Sequence, residues 1–557
     1  MNTLKDYVNF KLTHADKIAE ANGYPLKMEN CKKYKKMRDL KVYGNSVQDG
    51  TPTPDAPIEV QSVGELTYNL LNDTTFKNSD TITGLKCDYE GDGVFHIYGE
   101  HNPSKASGEL YSSIFSLDIP IDDVDSYYSV CGEVIEGTSG NLNTYFFLSV
   151  KNETTTVNFA NIWIPSNSKT GYAHQGLRKP STKIENATSF SRAWLYFTFN
   201  SSNEPEYLDY RIRVWFFKGE EVKPYEPYGK YKIPVVVRGI NLLKDAREIY
   251  NGNGAEDSGI ATHYTETIED GRECVKFQNS SYVIYRKIKF KENTQYTFSF
   301  DCKCVKQGGY TSYPPYDIPL RVYYTNGNAT AITIANDGVW RRLTFTSAKN
   351  STIAYIGGIS FDYRDYMYID INSFQIQEGA TATECEPYQA VTTNIFLDEP
   401  LRKVGVYADY IDFKENKVVR NIGVGTSNSL SIWREQSGSY NCGITWGLKN
   451  CNYRANTALC THFLYNYEGL SNGVYFNFID GIYWYFDKTL FPTRADADSW
   501  ITSRKADEIP LRFHYVFTTP TQEPLNLNLP KLTTKTTIIE VDTSLASSNI
   551  YGKYIKK

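Results

Sequence analysis

The sequence predicts an all-β, multidomain protein, and three observations carry that expectation. The chain has 557 residues, too many for one hydrophobic core, which points to roughly three or four domains of about 100 to 200 residues. Tyr occurs 45 times and aromatics make up 15%, beside frequent Gly, Thr and Asn, a mixture that favours strands joined by tight turns over helix bundles. The chain also repeats itself: Tyr68-Asn69-Leu70-Leu71 opens one stretch as Ile240-Asn241-Leu242-Leu243 opens a second, and Glu226-Pro227-Tyr228 closes the first as Glu386-Pro387-Tyr388 closes the second. Lys218-Gly219 and Glu378-Gly379 turns precede the two closings, and Arg192–Phe199, with Trp194, aligns with Gly338–Phe345, with Trp340. A tandem repeat of domain size follows.

The expected organisation is then an N-terminal helix, 1–24; a Pro-rich extended connector with short strands, 25–67; two β-sandwiches, 68–229 and 230–390; and a β-rich C-terminal domain, 391–557. Leu4, Val8, Leu12, Ala15 and Ile18 mark one face at helical spacing, and Gly23 and Pro25 end it. That stripe requires cover, from sister chains, from a partner or from the first domain. Thr51-Pro52-Thr53-Pro54-Asp55-Ala56-Pro57 has φ fixed at three prolines and reads as a semi-rigid arm. Each repeat carries a hairpin signal, Gly91-Asp92-Gly93 in the first and Asp270-Gly271 in the second. Beyond 391 come aromatic-dense strands at 475–478 and 482–486, a helix at Arg494–Arg504 with Asp496 and Asp498 near its positive end, and a last strand near 536–542.

Net charge is −5 and the pI about 5.9, so no basic field exists to hold nucleic acid or an anionic membrane. The run Lys32-Lys33-Tyr34-Lys35-Lys36-Met37-Arg38 is short and reads as a solvated face. The first residues are polar where a secretory signal would be apolar, and no stretch reaches membrane-spanning length, so synthesis in a cytoplasm without membrane insertion is expected. Ten Cys in this length is not a disulfide framework. Cys442, Cys451 and Cys460 are evenly spaced ahead of His462, but they fall on separate expected strands, and buried free thiols are the better reading than zinc ligands. No metal or cofactor is expected.

Four stretches carry a family resemblance. Gly44-Asn45-Ser46-Val47-Gln48-Asp49-Gly50 leading into Thr51–Val60, the Asn-Leu-Leu openings with their Glu-Pro-Tyr closings, Leu401–Phe413 with Val418–Gly423, and Val516–Leu525 resemble tail and baseplate structural proteins of phages and prophages of Gram-positive bacteria. The two repeats look like the jelly-roll sandwiches of carbohydrate-binding modules, an analogy of fold only. The resemblance implies a virion protein at the tail tip or baseplate, made in the host cytoplasm, of receptor-binding or side-fibre type. Its partners would be other tail proteins, host cell-wall polysaccharide and copies of itself, a trimer being the form the family suggests.

A phosphate-cradling Gly-Lys-Ser loop, a His-Glu-x-x-His helix and a Gly-x-Ser-x-Gly elbow do not occur in the sequence, and the seven His are scattered, so the chain is not expected to be an enzyme. Its 64 acids would supply a glycosidase-like pair by chance alone and otherwise read as solvated surface. Sugar binding needs an aromatic face beside hydroxyl partners, which makes Tyr310, Tyr313, Tyr316 and Asp317, in a Gly/Pro-rich loop, and Tyr363 and Asp365 the candidate ligand residues. Against that, these Tyr could cap a sandwich edge or line a domain interface. Trp194 and Trp340 are expected in core positions. A purely architectural tail component, or a tail-associated hydrolase, remains the alternative to an adhesin.

Overall fold

The structure is a computed structural model that describes residues 41–72, 79–82, 85–101, 110–199, 206–247, 264–278, 284–305, 320–357, 366–426, 430–434, 440–445, 448, 450–455, 457–465, 475–478, 481–504, 507–525, 529–534 and 537–541. The helix expected at 1–24 and the basic run at 32–38 lie outside the described residues. What is described is mostly strand, in several sheets, as an all-β multidomain chain requires. Val63–Ile233 with Phe396–Pro400 form one compact unit, and the remaining described residues form another. No helix among the described residues is long and apolar enough to cross a membrane.

In the first unit, two antiparallel sheets enclose one core. The four-stranded sheet runs Thr156–Ile164, Leu142–Lys151, Ser189–Phe199, Leu110–Pro120. The six-stranded sheet runs Ala173–Arg178, Tyr128–Thr138, Glu206–Lys218, Val94–His101, Leu85–Gly91, Ser79–Ile82. Period-two alternation assigns the faces: Phe146, Leu148 and Val150 are fully buried while Tyr145 and Phe147 between them face outward. At the centre Phe190 meets Phe216, Phe159 and Tyr128 edge-on, with centroids 4.7, 5.0 and 5.1 Å away. Each such side chain contributes about 1.5–3 kcal/mol by leaving water.

The second module, within the other unit, repeats this wiring. Its larger sheet runs Arg341–Thr346, Tyr296–Val305, Tyr366–Asp370, Arg272–Gln278, Tyr264–Glu269, and its smaller one Ala329–Ile332, Leu320–Tyr324, Ile353–Gly357, Ile284–Tyr285. Taken in chain order, these strands match those of the first module from Leu85–Gly91 onward one for one, and each match occupies the same place in its sheet. The hairpin turns match as well. Asp92 and Gly93 have φ of 50° and 71°, Asp270 and Gly271 of 50° and 77°, the paired positive values of a type I′ turn.

The recurring Asn-Leu-Leu and Glu-Pro-Tyr signatures form one latch, made twice. Buried Asn69 accepts the Leu71 and Phe216 amides at 3.0 and 3.1 Å and donates to the Glu226 carbonyl at 3.0 Å. Buried Asn241 accepts the Leu243 and Ile376 amides, both at 3.1 Å, and donates to the Glu386 and Phe374 carbonyls at 3.2 and 2.9 Å. An Asn fits because its amide both donates and accepts, joining the entering segment, the last strand and the exit segment. This topology corrects the alignment of Trp194 with Trp340. Ser189–Phe199 matches Ile353–Gly357, whereas the strand after Trp340, Arg341–Thr346, matches Ala173–Arg178. Both Trp are half-buried instead of core: Trp194 faces outward, and Trp340 donates to Asp270 at 2.9 Å beneath the Arg272 guanidinium.

The C-terminal part of that second unit has a five-stranded sheet, Lys41–Tyr43, Tyr410–Asp412, Lys417–Gly425, Phe513–Pro524, Ala458–Cys460. A second sheet is built from Ile432–Arg434, Tyr440–Thr445, Ile482–Asp487, Tyr475–Phe478 and Leu464–Tyr465. The helix at Arg494–Ser503 packs Ala497 and Ile501 into a core with Trp484, Phe463 and Phe486, and starts at a Thr493/Asp496 capping box. The Pro-rich stretch is more than a spacer. Val42 is fully buried in the five-stranded sheet, Gln48 donates to the Ile58 and Cys460 carbonyls at 2.9 Å, and Pro54-Asp55 form a tight turn closed by Thr53 and Ala56. Ile538–Val541 pairs with Val235–Arg238, where Arg238 and Lys291 bind Glu540 and Glu378.

Candidate functional site

The described residues concentrate solvent-facing aromatics at one place, the outer face of the four-stranded sheet in the first module. Trp163, Tyr145, Phe147 and Trp194 lie on three neighbouring strands, and the register sets Tyr145 opposite Trp163 and Phe147 opposite Trp194. Their planes are near-parallel: Trp163 and Tyr145 at 6.4 Å and 9°, Tyr145 and Phe147 at 5.9 Å and 22°, Phe147 and Trp194 at 5.2 Å and 12°. Tyr196 joins from the third strand, 5.6 Å from Tyr145. Cross-strand aromatic pairs of this kind stabilise a sheet by about 0.5–1.5 kcal/mol each, so the strip is rigid as well as apolar.

Polar groups rim it. Asn161 stands opposite Phe147, and Asn143 donates to Thr198 at 3.3 Å. Beside Trp163, which is 44% exposed on an edge strand, a recess of about 400 Å³ is lined by Tyr145, Asn161, Trp163, His174, Leu177 and Arg178. His174 takes the Trp163 amide on Nδ1 at 3.3 Å, and burial lowers its pKa, which keeps the ring a neutral acceptor. An apolar band bordered by amides, an imidazole and a guanidinium can pack the C–H face of a ring and take hydroxyl groups at its edge.

The topologically equivalent face of the second module also carries a cross-strand aromatic pair, Tyr323 opposite Tyr355 at 4.5 Å and 18°. Elsewhere, charges neutralise one another. On the outer face of the six-stranded sheet His96 lies 2.8 Å from Asp209 and 3.3 Å from Glu90, while Arg211 forks onto Glu90 and reaches Glu136 at 3.0 Å. The Arg211 hydrogen bonds hold Glu90 below the usual carboxylate range.

All six residues singled out in the sequence, Tyr310, Tyr313, Tyr316, Asp317, Tyr363 and Asp365, lie outside the described residues. Cys442 sits in one C-terminal sheet, Cys460 in the other, and Cys451 bridges to Phe517; all three thiols are buried and free, and burial pushes them up to about 11, 12 and 12. No cluster of His, Cys, Asp and Glu that could hold a metal occurs among the described residues. The strip is hard to see in the sequence because its members are 16 to 49 positions apart across strands, and only the alternation around Tyr145-Phe146-Phe147 hinted at an outward aromatic face.

No family model matches the chain, and no curated protein does. Among solved structures it is similar to the tandem CBM22-1–CBM22-2 domains of Paenibacillus barcinonensis Xyn10C, at 11% identity and a TM-score of 0.20, covering 60% of this chain and 100% of that one. It is also similar to a putative secreted protein of Parabacteroides distasonis ATCC 8503, at 7% identity and a TM-score of 0.15, covering 61% and 100%. At those scores neither supports an argument about this chain.

Proposed function

We propose that this protein is a non-catalytic adhesin that holds a saccharide chain on the outer face of its first module, serving a phage tail or baseplate in attachment to host cell-wall glycan. The observation that carries the saccharide reading is the strip Trp163, Tyr145, Phe147, Trp194: a solvent-facing aromatic band bordered by amides and an open recess. A pyranose offers a C–H face to such rings and hydroxyls to the rim. The tail assignment rests on the sequence resemblance of Gly44–Val60, the Asn-Leu-Leu and Glu-Pro-Tyr signatures, Leu401–Gly423 and Val516–Leu525. Its partners are then neighbouring tail proteins and wall polysaccharide, and its place is the virion.

The test is binding of the purified full chain to isolated Gram-positive cell walls, with Trp163→Ala and a Tyr310/Tyr313/Tyr316→Ala triple variant alongside, all checked for folding by circular dichroism. Loss of one to two stacked rings predicts at least about tenfold weaker binding for Trp163→Ala. Undiminished binding by that variant removes the strip from the reading, and a parent that binds no wall favours an architectural tail component.

A further inference from the structure

The second module's equivalent face differs in one respect that specifies a ligand. Tyr323 and Tyr355 stack on each other, and each is flanked by a guanidinium: Arg286 lies 5.4 Å over the Tyr355 ring and Arg321 5.9 Å from the Tyr323 ring. Burial confirms the direction of the face, because Leu320, Val322, Tyr324 and Ile356 are in the core while Arg321, Tyr323 and Tyr355 alternate with them outward. Each ring of the pair therefore has a guanidinium beside it. Contact with a ring occupies the flat face of a guanidinium and leaves its in-plane N–H donors pointing away. Arg321 spends one donor on the Tyr323 hydroxyl at 3.4 Å. Neither arginine pairs with a carboxylate among the described residues, in a module where Arg247, Arg272, Arg341 and Arg342 all do.

From this we infer that the outer face of the second module, at Arg286, Tyr355, Tyr323 and Arg321, is a second saccharide site, selective for a chain that carries anionic groups, carboxylate or phosphate. It rests on the same reading of the outer faces as the first site but addresses a different chemistry. Two guanidiniums that meet no carboxylate among the described residues carry planar donors that match the oxygens of a carboxylate or phosphate, beside a stacked ring pair. The protein as a whole carries a net charge of −5, so a polyanion is repelled in general and binds only where local cations outweigh that field.

The experiment uses the full chain and three immobilised polymers: a neutral glucan, a polyuronate and a poly(glycerol phosphate). The variants are Arg286→Gln with Arg321→Gln, Trp163→Ala, and a charge-matched control, Lys169→Gln with Lys183→Gln. The expected result is arginine-dependent binding of the polyuronate or the poly(glycerol phosphate), reduced about tenfold or more in the double arginine variant and weakened by salt, with the control like the parent. Whichever polymer gives that difference identifies the anion. Equal anionic-polymer binding by parent and double arginine variant, or none by the parent, overturns the inference. The first-module reading is scored separately by whether Trp163→Ala changes binding to the neutral polymer, so either site can fail alone.

Discussion

The two modules share a wiring and a latch and differ on the outer face of the smaller sheet. In the first, four near-parallel rings form the strip, and among the described residues no cation stacks on them; in the second, two stacked rings each have an arginine beside them. The inward positions of the same strands are mostly apolar in both. Period-two alternation explains why the two properties separate: every second side chain serves the core and fixes the fold, and the others are left for recognition. Even equivalent buried residues have local duties. Tyr128 donates to Asp122 at 2.6 Å, whereas Tyr296, in the matching place, accepts the Lys291 amide at 2.8 Å.

The largest expected effect tests the shared part. Asn69→Ala strands two buried amides and a carbonyl, and Asn241→Ala two buried amides and two carbonyls, so each destabilises its own module by about 3–5 kcal/mol. Hydrogen exchange resolved by segment measures this, and a variant that loosens both modules, or neither, breaks the equivalence of the two latches.

Acid is expected to separate both modules from the C-terminal region. His462 and His514 are buried there; burial first, then the Arg504 charge for His462 and the Arg402 and Arg512 charges for His514, bring them down to about 4 and about 3. An unfolded His takes up its proton near pH 6.5, so the unfolded state binds more protons below that value, and the region loses stability as pH falls from about 6.5 toward 4, by a few kcal/mol on the order-of-magnitude scale. Fluorescence of Trp484 and Trp500, followed through variants that retain only those tryptophans, should report the loss before the modules unfold; a C-terminal region unchanged at pH 4.5 would contradict it.

The smallest effect sharpens the contrast between the faces. Trp163→Ala, on an exposed edge, and Arg286→Gln should each cost about 1 kcal/mol or less in thermal unfolding. A loss above about 2 kcal/mol for either would mean that the residue serves its sheet more than a ligand.

The repeat was legible in the sequence because its signatures are local: an Asn before two Leu, a Glu-Pro-Tyr, and an Asp-Gly turn each follow from backbone chemistry at one place. The helix at Arg494–Ser503 was legible through Asp496 and Asp498 near its positive end, while its Thr493 cap emerged only with the fold. Similar tryptophan strands misled the alignment, since Trp194 and Trp340 look alike in sequence but belong to strands with different neighbours. Composition and local turn chemistry establish the β class, the duplication and the turns. That Trp163, Tyr145, Phe147 and Trp194 form one surface, and that Arg286 and Arg321 stand beside one ring pair, emerges with the fold, because strand neighbours are chosen by the packing of the core and leave no mark at fixed spacing along the chain.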